Sequence, residues 1–167
     1  DVLNYGLTKC NHEFVARADA DDINFPNRFE IQIKEIKKND IDIIGSSMKY
    51  LIGKKEKIKN QSTTIKSYKF LNPLNHPTVI FNRKKILSIG AYPKLPRFED
   101  YALWLNCIKN NFKINNISKP LVYSFVDKEY FKRRSGFKYF IYEIKFQIYI
   151  LKKKNINFFN FTFNFFV

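Results

Sequence analysis

The stretch Glu13-Phe-Val-Ala-Arg-Ala-Asp-Ala-Asp-Asp-Ile-Asn-Phe-Pro-Asn-Arg-Phe29 decides how the chain is read. It runs from an apolar segment into three carboxylates within four positions, Asp19, Asp21 and Asp22, and then into a helical pattern. Carboxylates held so closely repel one another, and a hard divalent cation such as Mg²⁺ takes oxygen ligands of this kind. Open α/β sheets bind ligands in the crevice outside the carboxyl ends of their strands. A solvated acidic loop that caps the next helix explains the same residues, because helix N-termini favour acids. Local spacing leaves both readings open.

Working outward, residues 13–18 read as a short strand, preceded by the end of a helix over 2–10. Asn24 is placed to cap the following helix and Pro26 to stand in its first turn. Phe29, Ile33 and Ile36 recur at helical spacing, which predicts an amphipathic helix over 26–38. Residues 41–48 read as a second strand, with Gly45 where another backbone approaches closely. Residues 49–60, Lys-rich around Gly53, suggest a hairpin, and 64–71 are weakly helical.

Asn72-Pro-Leu-Asn-His-Pro77 is a loop restricted twice by proline. A short strand over 78–81 and a helix over 83–89 follow, the helix closed by Gly90. Residues 99–111 form a helix whose apolar face is Tyr101, Trp104, Leu105, Ile108 and Phe112. Two more strand candidates, 113–117 and 121–126, are separated by Pro120. This alternation predicts an α/β sandwich with a mainly parallel sheet. In such a fold the acidic cluster, Asn75-His76-Pro77 and Glu99-Asp100 converge on one sheet edge.

With 167 residues the chain can bury a real core. Its formal net charge of +15 implies an anionic partner, whether nucleic acid, anionic lipid or a phosphorylated substrate. Codon bias of an AT-rich genome accounts for part of that excess. Cys10 and Cys107 lie far apart, without metal-type spacing or the density of a disulfide framework. No signal peptide is visible and no apolar run reaches transmembrane length. The chain begins at Asp1 with an apolar segment almost at once, so a truncated N-terminus is expected.

After Asp127 the character changes. Lys128, Lys132, Arg133, Arg134, Lys138, Lys145 and Lys152 to Lys154 are interleaved with aromatics. Periodicity leaves 137–151 open between helix and strand. The run at 158–167, Phe-Phe-Asn-Phe-Thr-Phe-Asn-Phe-Phe-Val, is too short to span a bilayer and is an aggregation hazard if exposed to water.

Taken together, these segments resemble the family 2 glycosyltransferases of GT-A fold, in particular bacterial enzymes that build capsule, O-antigen or exopolysaccharide. The resemblance rests on Leu3-Asn4-Tyr5-Gly6-Leu7, on Phe14-Val15-Ala16-Arg17-Ala18-Asp19-Ala20-Asp21-Asp22 with Pro26, Arg28, Phe29 and Gln32, and on Asp42-Ile43-Ile44-Gly45-Ser46. It continues in Asn75-His76-Pro77-Thr78, Gly90-Ala91-Tyr92 and Phe98-Glu99-Asp100-Tyr101-Ala102-Leu103-Trp104. It covers roughly residues 1–126. The expected division is a partial GT-A domain over 1–127 and a basic aromatic extension over 128–167, helical and membrane-associated.

The resemblance implies site roles. Asp21 and Asp22 would hold Mg²⁺ or Mn²⁺ against the donor diphosphate, with Asp19, Arg17 and His76 on the donor side. Asp100, flanked by Glu99, would deprotonate the acceptor hydroxyl in a single displacement that inverts the anomeric carbon. The donor would be a nucleotide-sugar and the acceptor a glycan or lipid-linked glycan. The setting would be cytoplasmic, peripheral on the anionic inner face of the bacterial plasma membrane, with nucleic acid not expected as a partner. Members usually begin with a base-binding strand some tens of residues before the acidic cluster. Only 18 residues precede Asp19, so the domain is expected to be incomplete at its N-terminus and weak in binding nucleotide-sugar alone.

Plainer readings stand beside these. Glu99 and Asp100 also suit a helix N-terminus, Trp104 suits the core, His76 a structural turn, and Arg17 and Arg28 structural ion pairs. A metal-dependent nucleotidyltransferase uses similar acid clusters, and a non-catalytic basic module binding membrane or nucleic acid would share the charge, although no nucleic-acid motif is present.

Overall fold

The computed structural model describes residues 2–59 and 68–164. Half of the weakly helical stretch expected over 64–71, residues 64–67, lies outside them. Among the described residues six strands form one sheet: β1 (Phe14–Ala16), β2 (Asp22–Asn24), β3 (Ile43–Ile52), β4 (Lys55–Lys59), β5 (Ile80–Asn82) and β6 (Ile114–Val126). Their order is β1-β5-β3-β6-β2, with β4 folded onto β3 as a hairpin. The turn between β3 and β4 contains Gly53 at φ +61°, a conformation glycine adopts without steric cost. The sheet is mixed. Its parallel character is carried by the long β3–β6 pairing, from Ile43↔Ile114 to Ile52↔Val126. The pairings β1–β5, β5–β3, β3–β4 and β2–β6 are antiparallel.

Helices α1 (Val2–Lys9), α2 (Arg28–Asn39), α3 (Arg83–Ser88) and α4 (Glu99–Lys109) cover the two faces. Successive strand residues point to opposite faces, and the core divides accordingly. Ile43 and Phe81 pack with Leu7 of α1, Ile86 of α3, and Leu103 and Trp104 of α4. Ile44 and Ile80 pack on the other side with Ile36 of α2 and with Ile41. Burial on both faces explains why 43–48 reads as an unbroken buried run, without alternation.

Two local expectations change. The segments 113–117 and 121–126 are one strand, because Pro120 falls opposite Ser47 at register shifts in the ladder, where a missing N–H is tolerated. Helix α2 starts two residues later than expected, with Asn27 rather than Asn24 at its cap. Asn24 instead closes β2, a strand too short to show in the sequence and defined by its pairing with β6.

The C-terminal region is helical: α5 (Lys128–Lys132), α6 (Gly136–Lys152) and α7 (Phe158–Phe163). Phe146 and Ile150 of α6 pack on Tyr101, Ala102 and Leu105 of α4, together with Ile156. Helix α6 is thereby fastened to the back of α4 by a shared apolar cluster. Among the described residues no helix is long and apolar enough to cross a membrane.

Candidate functional site

The acidic loop is held from below by a buried arginine. Arg28 is fully enclosed. Its Nε donates to Gln32 Oε1 at 3.0 Å, its Nη1 donates to Asn24 Oδ1, and its Nη2 donates to the Arg17 carbonyl at 2.8 Å. Gln32 Nε2 in turn donates to the Thr78 carbonyl at 2.7 Å. One guanidinium therefore ties both ends of the acidic loop to α2, and through Gln32 to the His76–Thr78 turn. Burial lowers its pKa to about 10, so it keeps its charge at neutral pH. Arg28 belongs to the framework, held by neutral partners where a structural ion pair was expected.

That turn is clamped onto β3. Asn75 Nδ2 donates to the Ser46 carbonyl at 3.0 Å, and the Ser46 N–H donates to Thr78 Oγ1 at 2.9 Å. The close approach expected at Gly45 is present. A Cβ there would meet Asn116 Oδ1 at 2.7 Å and Leu74 Cδ2 at 2.9 Å. His76 is fixed in consequence. Its Nε2 shares a hydrogen bond with Tyr92 Oη at 3.0 Å, and its ring meets Trp104 edge-on at 6.2 Å. Burial pushes the His76 pKa down, against the opposing pull of Asp100, so the ring is neutral at pH 7. Trp104 is fully buried and belongs to the core.

Glu99 and Asp100 open α4 from an unusual turn. Phe98 precedes them in the left-handed region at φ 61°, where a bulky residue stays only if its surroundings hold it. Its ring stacks on Phe146 at 5.1 Å and meets Tyr139 edge-on at 5.4 Å. Asp100 Oδ2 accepts a hydrogen bond from Asn72 Nδ2 at 2.9 Å.

These elements surround one cavity of about 490 Å³, lined by Asp19, Asp21, Asp22, His76, Glu99 and Asp100 among others. The three separate motifs of the sequence thus meet. Arg17 is not on the wall. Its guanidinium pairs at 2.5 Å with Asp19, a carboxylate that does line the cavity. Burial holds the Asp22 carboxyl above its ordinary value. A hydrogen bond with Ser124 opposes the shift, and the charges of Asp19 and Asp21 reinforce it.

This donor set fits a hard divalent cation, which would relieve that repulsion. Among the described residues no three His, Cys, Asp or Glu side chains form a closed ligand set. Ligation would therefore rest on one or two carboxylates completed by substrate phosphates, a common arrangement for Mg²⁺.

Part of the lining was not assigned to the site by the sequence. Lys59, Arg97, Tyr130, Arg133, Arg134 and Tyr139 all line the same cavity. The Arg134 guanidinium lies 3.7 Å from the centre of the Tyr130 ring, and Tyr130 in turn packs near Tyr50 with centroids 6.4 Å apart. For Arg133 and Arg134 the basic run was the signal, and its membrane reading hid their place in the cavity lining.

Known proteins resemble this chain in sequence and in fold. A sequence model described as Glycosyl transferase family 2 matches residues 1–94. The chain is 38% identical to a UDP-Gal:alpha-D-GlcNAc-diphosphoundecaprenol beta-1,3-galactosyltransferase of Escherichia coli, over 98% of this chain and 62% of the relative. It is 32% identical to the amylovoran biosynthesis glycosyltransferase AmsE of Erwinia amylovora, over 90% of this chain and 58% of the relative. To the O-antigen biosynthesis glycosyltransferase WbnJ of Escherichia coli it is 33% identical, over 72% and 50%. The chain spans about half to three-fifths of the length of these relatives.

Among solved structures, S. aureus TarS 1-349 in complex with UDP-GlcNAc superposes with a TM-score of 0.64 at 18% identity, over 89% of this chain and 45% of that one. The mannosyltransferase PcManGT from Pyrobaculum calidifontis, in complex with GDP-Man and Mn²⁺, gives 0.54 at 15% identity, over 79% and 38%. At those identities the likeness is one of fold, and the fold is the GT-A α/β sandwich.

Proposed function

The chain belongs to glycosyl transferase family 2, and from that premise we propose that it transfers a sugar from a nucleotide-diphosphate sugar to a glycan or lipid-linked glycan acceptor in bacterial surface-polysaccharide synthesis, inverting the anomeric carbon. The observation that carries this reading is the meeting of Asp19, Asp21 and Asp22 with His76 and Glu99-Asp100 in one cavity. The named bacterial relatives support the same class of reaction over the nucleotidyltransferase alternative.

Asp21 and Asp22 would hold Mg²⁺ or Mn²⁺, which when bound offsets the charge developing on the nucleoside diphosphate leaving group. Asp19, oriented by Arg17, and neutral His76 line the donor side. Asp100, oriented by Asn72, accepts the proton of the acceptor hydroxyl. The freed oxygen attacks the anomeric carbon as the bond to the diphosphate breaks. Glu99 flanks that base. Residues 1–127 would supply the transfer chemistry, and 128–167 the approach to a membrane-borne acceptor.

A peripheral position on an anionic inner membrane face is supported by the exposed ring of Phe137 on α6, a helix that also carries Lys138, Lys145 and Lys152, and by the exposed rings of Phe158 and Phe159 on α7. Each basic residue near such a surface adds about 1 kcal/mol of attraction.

The test is a transfer assay with product analysis. Free nucleoside diphosphate is expected with the wild type and a loss of about 10²–10⁴-fold in rate with Asp100→Asn. Release of pyrophosphate would instead indicate nucleotidyl transfer. Wild-type rates in Asp21→Asn and Asp100→Asn would end the catalytic assignment.

A further inference from the structure

The Gly90-Ala91-Tyr92 turn has no part in the reading above, yet it holds His76, which lines the cavity. Gly90 and Ala91 both take positive φ, 91° and 56°. Asn4 of α1 then grips the next residue by both of its backbone groups. Asn4 Nδ2 donates to the Tyr92 carbonyl at 2.9 Å, and the Tyr92 N–H donates to Asn4 Oδ1 at 3.0 Å. The Tyr92 ring is buried and belongs to the same core cluster as Leu7, Leu103 and Trp104. It meets the His76 imidazole edge-on, with centroids 5.6 Å apart. The phenol oxygen is thus a fixed point against which His76 is set.

Hydrogen-bond capacity decides which way the bond between them runs. A phenol has one proton to donate, and a neutral imidazole has one N–H and one lone pair. Burial raises the Tyr92 pKa and lowers that of His76, so both groups are neutral at pH 7. Among the described residues the partner of Tyr92 Oη is His76 Nε2, at 3.0 Å. Were Nε2 the donor, the phenol proton would be buried without an acceptor, which is costly. With Tyr92 donating, both groups are satisfied and the imidazole proton stands on Nδ1. Among the described residues Nδ1 has no partner, and it is not one of the enclosed polar atoms left without one, so it keeps access to the cavity. Of the neighbouring charges Asp100 acts on the ring most strongly, and Asp19 and Glu99 act in the same sense.

We propose that Tyr92 is a positioning residue: by donating to Nε2 it holds His76 as a hydrogen-bond donor whose Nδ1–H points into the cavity, toward an oxygen of the nucleotide-sugar. The ligand rests on the glycosyltransferase reading; the tautomer does not. A protonated Nδ1 has no lone pair for a metal, and Nε2 is taken by the phenol. His76 therefore serves the substrate and leaves the cation to Asp21 and Asp22. Tyr92 itself touches no substrate and acts through the imidazole. A diphosphate oxygen and a sugar hydroxyl accept the same bond, so the test separates them.

The experiment reads the tautomer by long-range ¹H–¹⁵N NMR of the full 167-residue chain labelled at histidine, at neutral pH. The chain has two histidines, and the exposed His12 serves as the reference. The ligand-free wild type is expected to carry the His76 proton on Nδ1, and Tyr92→Phe to shift it toward Nε2. A proton on Nε2 in the wild type overturns the proposal, as does an unchanged tautomer in the variant. The wild-type spectrum decides even if the variant fails to fold. A proton that moves to Nε2 when Mg²⁺ and UDP are added would make His76 a metal ligand and also overturn it. Calorimetry with UDP and with UDP-galactose, each with Mg²⁺, then tests the ligand. Tyr92→Phe is expected to weaken binding about threefold to tenfold, the size of one lost neutral hydrogen bond. Loss with both ligands assigns a phosphate oxygen, and loss with UDP-galactose alone assigns a sugar oxygen. Wild-type affinity for both overturns the substrate contact. Absence of binding in the wild type would count against the donor reading, and the tautomer would still decide the role of Tyr92.

Discussion

Phe98 stacks on Phe146 with ring centroids 5.1 Å apart and planes 27° from parallel. This contact links the turn that presents Glu99 and Asp100 to α6, an element some forty residues later in the chain. Without it, Phe98 would have little to hold it in the left-handed region. Phe146→Ala is therefore expected to cost about 3–5 kcal/mol, as large-to-small changes in aromatic core positions do. Phe137→Ala, on an exposed ring of the same helix, should stay within about 0.5 kcal/mol of wild type. Urea unfolding of the two variants checks the contrast, and equal effects would show that α6 is not fastened through this stack.

The buried guanidinium of Arg28 gives a second expectation. Its partners Asn24, Gln32 and the Arg17 carbonyl cannot all be reached by an ammonium or an apolar chain. Arg28→Met should cost about 3–5 kcal/mol, the usual consequence of removing one partner from a buried charged network. Arg28→Lys should recover only part of it, because a lysine lacks the planar fork. Recovery of wild-type stability by lysine in a denaturant titration would contradict this account.

Arg28 also shows where the sequence stopped being informative. The three motifs that meet in the cavity were legible, because acid clusters, Asn-His-Pro and Glu-Asp are written in adjacent residues. So were most of the helices and the central strand, through their apolar periodicity. The framework role of Arg28 was left undecided, since full burial of an arginine is rare and depends on partners far apart in the chain. Strand β2 was missed because three residues carry no period, and only Tyr123 and its neighbours on β6 define it. The place of Arg133 and Arg134 in the cavity lining depends on Tyr50 and Tyr130 meeting, a contact between residues eighty positions apart.

Gly45 tests the packing of the turn that carries His76. An added Cβ would press on Asn116 Oδ1 and Leu74 Cδ2 at under 3 Å, inside a fully buried layer. Gly45→Ala is expected to destabilise by about 1–3 kcal/mol, as overpacking does. A thermal melt and a comparison of His76 ring resonances by NMR would follow both effects, and an unshifted melting point would mean that the layer gives way freely.

His76 supplies a pH dependence with a definite sign. Burial lowers its folded pKa below the ordinary histidine value of 6.5. The unfolded chain then binds the proton more readily, so stability is full above pH 6.5 and is lost as pH falls through the folded pKa. Around the ring, Asp100, Asp19 and Glu99 favour the charged form and Arg17 opposes it, while Tyr92 holds Nε2. Unfolding free energies at pH 7.5 and 5.5 should differ more for the wild type than for His76→Gln. An identical difference in both proteins would remove His76 as the source.

Asn72 is expected to act through Asp100, not on the substrate directly. Its side chain donates to Asp100 Oδ2 at 2.9 Å, and its Oδ1 accepts from the Leu74 N–H at 3.3 Å, which fixes the amide between the loop and the helix. Losing that bond leaves the carboxylate free to rotate away from the acceptor hydroxyl. A misplacement of about 1 Å in a reacting group can cost on the order of 10²-fold in rate. Asn72→Ala should therefore lower kcat about 10–100-fold with little change in the KM for donor. Asn72→Asp, which puts a like charge against Asp100, should do no better, and Asn72→His, which keeps a donor, should recover part of the rate. If KM for the donor rises while kcat holds, Asn72 contacts the donor and its part in orienting Asp100 is refuted.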